Sequence, residues 1–172
     1  QLYWGVDTAL KIIRIDLDSD EFDRHGPPEI RIKADARVTA AALVKAVDNR
    51  KSGRNTKWAE RVKKIRFTVE DEISRHLSVQ MPWLGAIREA LPENGILVDE
   101  ITQIGFCSWY GYPVYQPRSL VTAGYQGTLG YGFATALGVA VANPDRPVVS
   151  VNGDGGYLYT ANEWATAIEY DI

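Results

Sequence analysis

Apolar positions in this chain come in short β-branched runs bounded by polar turns, with stretches of three- and four-residue spacing between them. This is the alternation of strand and helix. Lys11 to Asp18 (KIIRIDLD) reads as a strand, followed by an acidic loop through Gly26-Pro27-Pro28, and Ile30-Arg31-Ile32 alternates as a second strand. Asp35 is placed to cap a helix from Ala36 to about Val47, an almost continuous apolar stretch that calls for thorough burial. The β-loop-β-α piece is too small to close a core of its own and reads as the end of a domain. Asp48 to Lys57, charged and carrying Ser52-Gly53, is the best linker segment.

Trp58, Val62, Ile65, Val69, Ile73 and Leu77 then fall three or four apart, the stripe of an amphipathic helix. Near Ser74 to Ser78 a new pattern begins: Pro82 at a helix start, Leu84, Ile87 and Leu91 on one face, and Asn94-Gly95 as the stop. Ile96-Leu97-Val98 is the next strand and ends in Asp99-Glu100, two acids at a carboxyl end, where ligands gather in open α/β sheets. Ile101 to Gln116 reads as a loop rich in Gly, Ser, Trp and Tyr; its aromatics at 106–115 either line a substrate pocket or pack over a sheet edge. Arg118 to Val121 is a short strand, residues 122–132 a glycine-rich loop, Phe133 to Ala142 a helix, and Val148 to Val151 a buried strand. The expected architecture is α/β, a parallel Rossmann-like sheet with helices on both faces. Residues 1–48 would end one domain, 49–75 form a linker and basic helix, and 76–172 begin a second domain.

Composition narrows the class without changing that outline. A hydrophobic content of 45% and a charged content of 24% are those of a soluble globular protein. The longest apolar runs fall far short of a membrane span, and Gln1-Leu2-Tyr3-Trp4-Gly5 lacks the features of a signal peptide, so a cytoplasmic protein is expected. Cys107 is the one cysteine and reads as a small, semi-buried thiol, with no disulfide and no cysteine metal cluster to join. The net charge of −3 hides a basic stretch, Arg50 to Arg66, with eight Lys or Arg against Glu60. On an amphipathic helix these are its solvated face, and no pattern points to nucleic acid.

The chemistry concentrates in VVSVNGDGGYLYTANEWATAIEYDI, residues 148–172. A strand that ends in Gly153-Asp154-Gly155-Gly156 and feeds a helix presents backbone N–H groups at a sheet's carboxyl edge, an anion site. A carboxylate there raises the local negative charge unless a hard cation such as Mg²⁺ sits between it and a phosphate. Diphosphate plus metal is the reading, with Asp154 as metal ligand and Gly153, Gly155 and Gly156 around the phosphates. Thr160 with Glu163 has capping-box spacing for the following helix, and Trp164 and Ile168 repeat on one face. Upstream, Gly124, Gly127, Gly130 and Gly132 do not make the GxGxxG spacing that a nicotinamide dehydrogenase requires.

GDGGY with its helix resembles the first half of the thiamine-diphosphate signature, whose second half is a downstream Asn-Asn; the chain ends at Ile172, before such a pair. Residues Gly127 to Gly138 resemble the family's aminopyrimidine loop, GxLGxGxxxAxG. By that resemblance the Gly127 carbonyl accepts from the cofactor's 4′-amino group, Thr128 lies beside it, and Leu129 is the apolar wedge beneath the bent cofactor. Glu100-Ile101-Thr102-Gln103-Ile104-Gly105 resembles the acetolactate-synthase pattern Glu-Val-Gly-Gln-His-Gln. Gln103 matches the glutamine beside the diphosphate, and Ile104-Gly105 replaces the His-Gln pair. Ile15 to Glu21 (IDLDSDE) resembles the end of the family's central domain, in which some relatives bind FAD; no dinucleotide fingerprint supports that cofactor here.

The resemblance implies thiamine diphosphate, Mg²⁺, a 2-oxo acid substrate, decarboxylation followed by carboligation or protonation, and a homodimer or homotetramer with the cofactor at the interface. A benzoylformate-type decarboxylase and a non-catalytic cofactor-binding piece are the alternatives. The glutamate that activates the cofactor belongs, in the family, to an N-terminal domain, and neither Glu100 nor Glu163 is assigned that role.

Overall fold

The computed structural model describes residues 10–48, 56–124 and 126–172. The chain forms two compact units, dividing between Thr56 and Lys57, so the basic helix groups with the second. Most of the expected linker, residues 49–55, lies outside the described residues, as do Gln1 to Gly5.

In the first unit β1 (Ile13–Asp16) and β2 (Ile30–Lys33) pair in parallel, Ile13 opposite Ile30 and Asp16 opposite Lys33. The loop between them is held by local polar contacts: the Asp16 carboxylate accepts from the Asp18 N–H at 2.9 Å, and that of Asp18 accepts from Asp20 at 3.0 Å. Both acids are therefore turn caps. Helix α1 (Ala36–Asp48) starts where expected, with Asp35 Oδ1 accepting from the N–H groups of Arg37 and Val38. Its burial does not follow expectation. Thr39 is the buried residue of α1, while Val38 and Val44 are each 65% exposed. A two-stranded sheet offers too little apolar surface to cover a helix that is apolar nearly all round.

The second unit opens with α2 (Thr56–His76) and α3 (Met81–Ala90), the latter with Pro82 in its first turn, where a missing N–H costs nothing. The α2 stripe is present but exposed: Trp58, Val62, Ile65 and Val69 all retain substantial accessible surface. The core lies around a three-stranded parallel sheet ordered β4 (Leu120–Val121), β3 (Ile96–Asp99), β5 (Val148–Val151). Every residue of β3 is buried, as befits the middle strand of a covered parallel sheet. Its side chains alternate across the sheet. Leu97 packs with Leu84 of α3 and with Cys107 and Tyr112 on one face; Ile96 and Val98 pack with Ala136 of α5 (Tyr131–Ala142) on the other.

The segment expected as an aromatic loop is a helix, α4 (Gln103–Gly111). Thr102 caps it, its Oγ1 accepting from the Gly105 N–H at 2.8 Å, and Ile104 and Cys107 face the core three residues apart. Its Ser108 and Trp109 anchor it to the end of β3. After β5 the chain turns at once into α6 (Asp154–Leu158), a 3-10 turn over Ala161–Glu163, and α7 (Trp164–Glu169). The expected capping box does not form: no side chain caps at Thr160, whose hydroxyl instead donates to the Gly130 carbonyl at 3.5 Å. Trp164 and Ile168 are both exposed.

Candidate functional site

The chain leaves β3 through α4 to β4 on one side and returns through α5 to β5 on the other, so the carboxyl ends of three neighbouring strands open onto one edge. Edges of this kind hold ligands in open α/β sheets. Three segments meet there: Asp99 to Thr102, residues 126–130, and Asn152 to Gly156.

Asp99 and Glu100, both 2% exposed, are the buried acids of this edge. Asp99 Oδ2 accepts from Ser108 Oγ at 2.7 Å and from Trp109 Nε1 at 2.9 Å, which ties α4 to the strand end. Burial pushes the Asp99 carboxyl above the ordinary carboxylate range, and these two hydrogen bonds offset part of that rise.

Glu100 reaches across the edge. Its Oε1 accepts from the Gly130 N–H, while Oε2 is buried with no hydrogen-bond partner among the described residues. Its carboxylate lies against Gly156: a Cβ built there would stand 2.6 Å from Cδ and 2.7 Å from Oε2. At Gly132 a Cβ would lie 2.9 Å from the Cβ of Glu100 and would overlap the Asn152 amide oxygen, which is likewise buried and unpartnered. The two side chains occupy space that glycines leave open. Sequence reasoning noticed Glu100 as an acid at a strand end and as the first residue of the segment that resembles the acetolactate-synthase pattern, and missed it as the hub. The available signal was the combination of that acid with glycines at both facing turns.

Gly153 is the N-cap of α6 with extended backbone (φ −77°, ψ 153°) and no side-chain cap, so this helix end is open at its front. Asp154 is exposed in the first turn, its Oδ1 accepting from its neighbour Gly155 N–H at 2.8 Å, and Gly155 is exposed while Gly156 is buried. Gly127, Thr128 and Leu129 are exposed on the loop before α5; Gly127 rests on Ile101, and the Leu129 side chain is 49% exposed. Gly130 has φ 84°, the left-handed conformation that glycine adopts without strain, and lies against Tyr159. Glu100 thus links the Gly127–Gly130 loop and the Gly153–Gly156 turn. Gln103 is the exception among the expected site residues, because its Oε1 accepts from Gln80 Nε2 at 3.0 Å.

Residues 100–172 match the family described as thiamine pyrophosphate enzyme, C-terminal TPP binding domain. This segment belongs to that family. Over most of its length the chain is also similar to curated proteins of the same kind. It is 31% identical over 92% of its residues to the probable 2-ketoarginine decarboxylase AruI of Pseudomonas aeruginosa. It is 32% identical over 94% to the probable acetolactate synthase large subunit of Methanocaldococcus jannaschii, and 29% identical over 94% to acetolactate synthase isozyme 1 large subunit of Escherichia coli K12. The chain is similar in sequence to these proteins and spans 28 to 29% of their length.

The residues present fit the cofactor's diphosphate end. A helix start with no side-chain cap, the exposed Gly155 and the exposed Asp154 carboxylate are the kinds of group that a cation-bridged diphosphate needs. No group of three or more His, Cys, Asp or Glu side chains among the described residues forms a metal cluster, so Asp154 would act with phosphate oxygens rather than within a protein cage. No helix among the described residues is long and apolar enough to cross a membrane.

Proposed function

We propose that the protein containing this chain is a thiamine-diphosphate- and Mg²⁺-dependent enzyme acting on 2-oxo acids. It would release CO₂ and pass the resulting carbon nucleophile to a second carbonyl or to a proton. The observation that carries this reading is the juxtaposition of the Gly127–Gly130 loop and the Gly153–Gly156 turn through one buried carboxylate. Thiamine diphosphate, when bound, supplies the electron sink for decarboxylation. The chain's own residues would bind and orient it. Asp154 would hold Mg²⁺ and so release the Gly155 N–H that its Oδ1 now takes, the N–H groups of Gly155 and Gly156 would then donate to phosphate oxygens, the Gly127 carbonyl would accept from the aminopyrimidine, and Leu129 would support the bend between the rings. Thr128 would complete the loop's contact with the aminopyrimidine. Gln103 would donate from its amide Nε2 to the diphosphate, its Oε1 being held by Gln80 Nε2.

Leu129 and Tyr159, both exposed beside Gly130, are apolar surface of the kind that a homodimer or homotetramer closing over the cofactor would cover. Decarboxylation ending in protonation is the second reading. It is favoured by Ile104-Gly105, which replaces the His-Gln pair of acetolactate synthases, and by the likeness to a protein named as a decarboxylase. We place the enzyme in the cytoplasm and assign no FAD. Calorimetric titration of thiamine diphosphate with Mg²⁺ into the wild-type protein and the Asp154→Ala variant tests the assignment. Saturable, Mg²⁺-dependent binding that disappears in the variant is expected; equal binding by both would remove Asp154 as the metal ligand.

A further inference from the structure

We propose that Glu100 is the positioning residue that holds the ring-side loop and the diphosphate-side turn in one register, a role that rests on the cofactor reading above. Four observations converge on it. Glu100 is 2% exposed and its carboxylate takes the Gly130 N–H, fixing the last residue of the glycine-rich loop before α5. The same carboxylate lies against the first turn of α6, where the absence of a side chain at Gly156 is what admits it. Gly132 likewise leaves room for its Cβ at the start of α5. Lastly, Oε2 has no partner among the described residues, so the bond from Gly130 is the one polar tie seen there for this carboxylate, and such charge-assisted bonds are the strong ones.

Two binding elements joined through a side chain between them do not move independently. A ligand that spans both gains from having them in register; a ligand that touches one does not. Glu100 does not touch the substrate or exchange protons in this role. It sets the distance between the loop that takes the aminopyrimidine and the turn that takes the diphosphate.

The prediction is a change in a ratio of affinities. In the full-length protein with Mg²⁺, calorimetry compares thiamine diphosphate with inorganic diphosphate, which reaches only the turn. In E100A the affinity for thiamine diphosphate should fall about 10- to 100-fold, the range for a lost hydrogen bond to a charged group, while that for inorganic diphosphate changes by less than about threefold. E100D keeps the charge but falls one methylene short of Gly130, and should lower the ratio even where E100A fails to fold. E100Q keeps an acceptor oxygen for the Gly130 N–H but not the charge, and should lower the ratio by less than E100A does. Parallel loss of both ligands in E100D, or no change in either, overturns the positioning role while leaving the cofactor reading intact. Failure of the wild type to bind thiamine diphosphate at all overturns both.

Discussion

Replacing Gly105 by alanine asks whether the departure from the family pattern at Ile104-Gly105 is built into the fold. Gly105 lies in the first turn of α4, its N–H donating to Thr102 Oγ1, and the Thr102 N–H donates to the Glu100 carbonyl at 2.8 Å. A Cβ at Gly105 would overlap that carbonyl oxygen and stand 3.1 Å from its carbon and 3.2 Å from Thr102 Oγ1. The obstacle is backbone at the end of the central strand, so no rotamer change relieves it. Displacing the helix start costs about 1 to 3 kcal/mol of overpacking and about 1 kcal/mol for each of the two hydrogen bonds it strains. Alanine's better helix propensity returns about 1 kcal/mol. The net expectation is a loss of about 2 to 4 kcal/mol, which for a chain of this size lowers Tm by roughly 5 to 15 °C. Gly138 is the control: it sits inside α5 with nothing within 4 Å of a built Cβ, so Gly138→Ala should gain about 0.5 to 1 kcal/mol. Urea denaturation of both variants against wild type is the assay. A Gly105→Ala protein as stable as Gly138→Ala would refute the packing argument and with it the claim that α4 requires glycine here.

Asp99→Asn should show a pH signature. Burial raises the folded-state pKa of Asp99 above its unfolded value, so the folded protein binds the proton more tightly, and this group's contribution to stability falls as pH rises from the unfolded value through the folded one. The variant, neutral at this position at all pH, should therefore gain on wild type in denaturation midpoints as pH rises above the ordinary carboxylate value of 3.8; a difference that does not change with pH would contradict the raised value. Thr102→Ala removes the α4 cap and should cost about 1 kcal/mol by the same method, with Thr102→Ser near wild type. Leu84→Ala empties a site that is 1% exposed, between α3 and the sheet, and should cost about 2 to 5 kcal/mol. Loss of less than about 1 kcal/mol would mean that this face of the sheet is not a packed core.

The strands were legible because a covered parallel sheet needs β-branched runs, and Ile96 to Val98 and Val148 to Val151 have few other uses. What misled was composition. Residues 101–116 carry the glycines, serine and aromatics of a loop, yet Thr102 caps a helix whose Ser108 and Trp109 bond back to Asp99. Those tertiary bonds outweigh weak local propensity. Helix α1 failed in the other direction: its apolar run predicts burial, but burial needs a partner surface, and β1 and β2 alone do not supply one.

The site divides along the same line. Gly153 to Gly156 could be read because a turn between strand and helix is local, and its carboxylate, Asp154, follows closely on the strand that ends at Val151. Glu100 could not be read that way, because what defines it is the absence of side chains at Gly132 and Gly156 and the position of the Gly130 N–H, 30 residues from it in the chain. Each of these glycines has a local explanation as a turn or helix-start residue. Only in three dimensions do they outline the volume of one glutamate. If that volume is the reason for them, the costs of Gly156→Ala and of E100A should not add, since removing the carboxylate also removes the obstacle. A double variant more stable than Gly156→Ala alone would show the coupling, and strict additivity would show that the glycine serves the turn and not the glutamate.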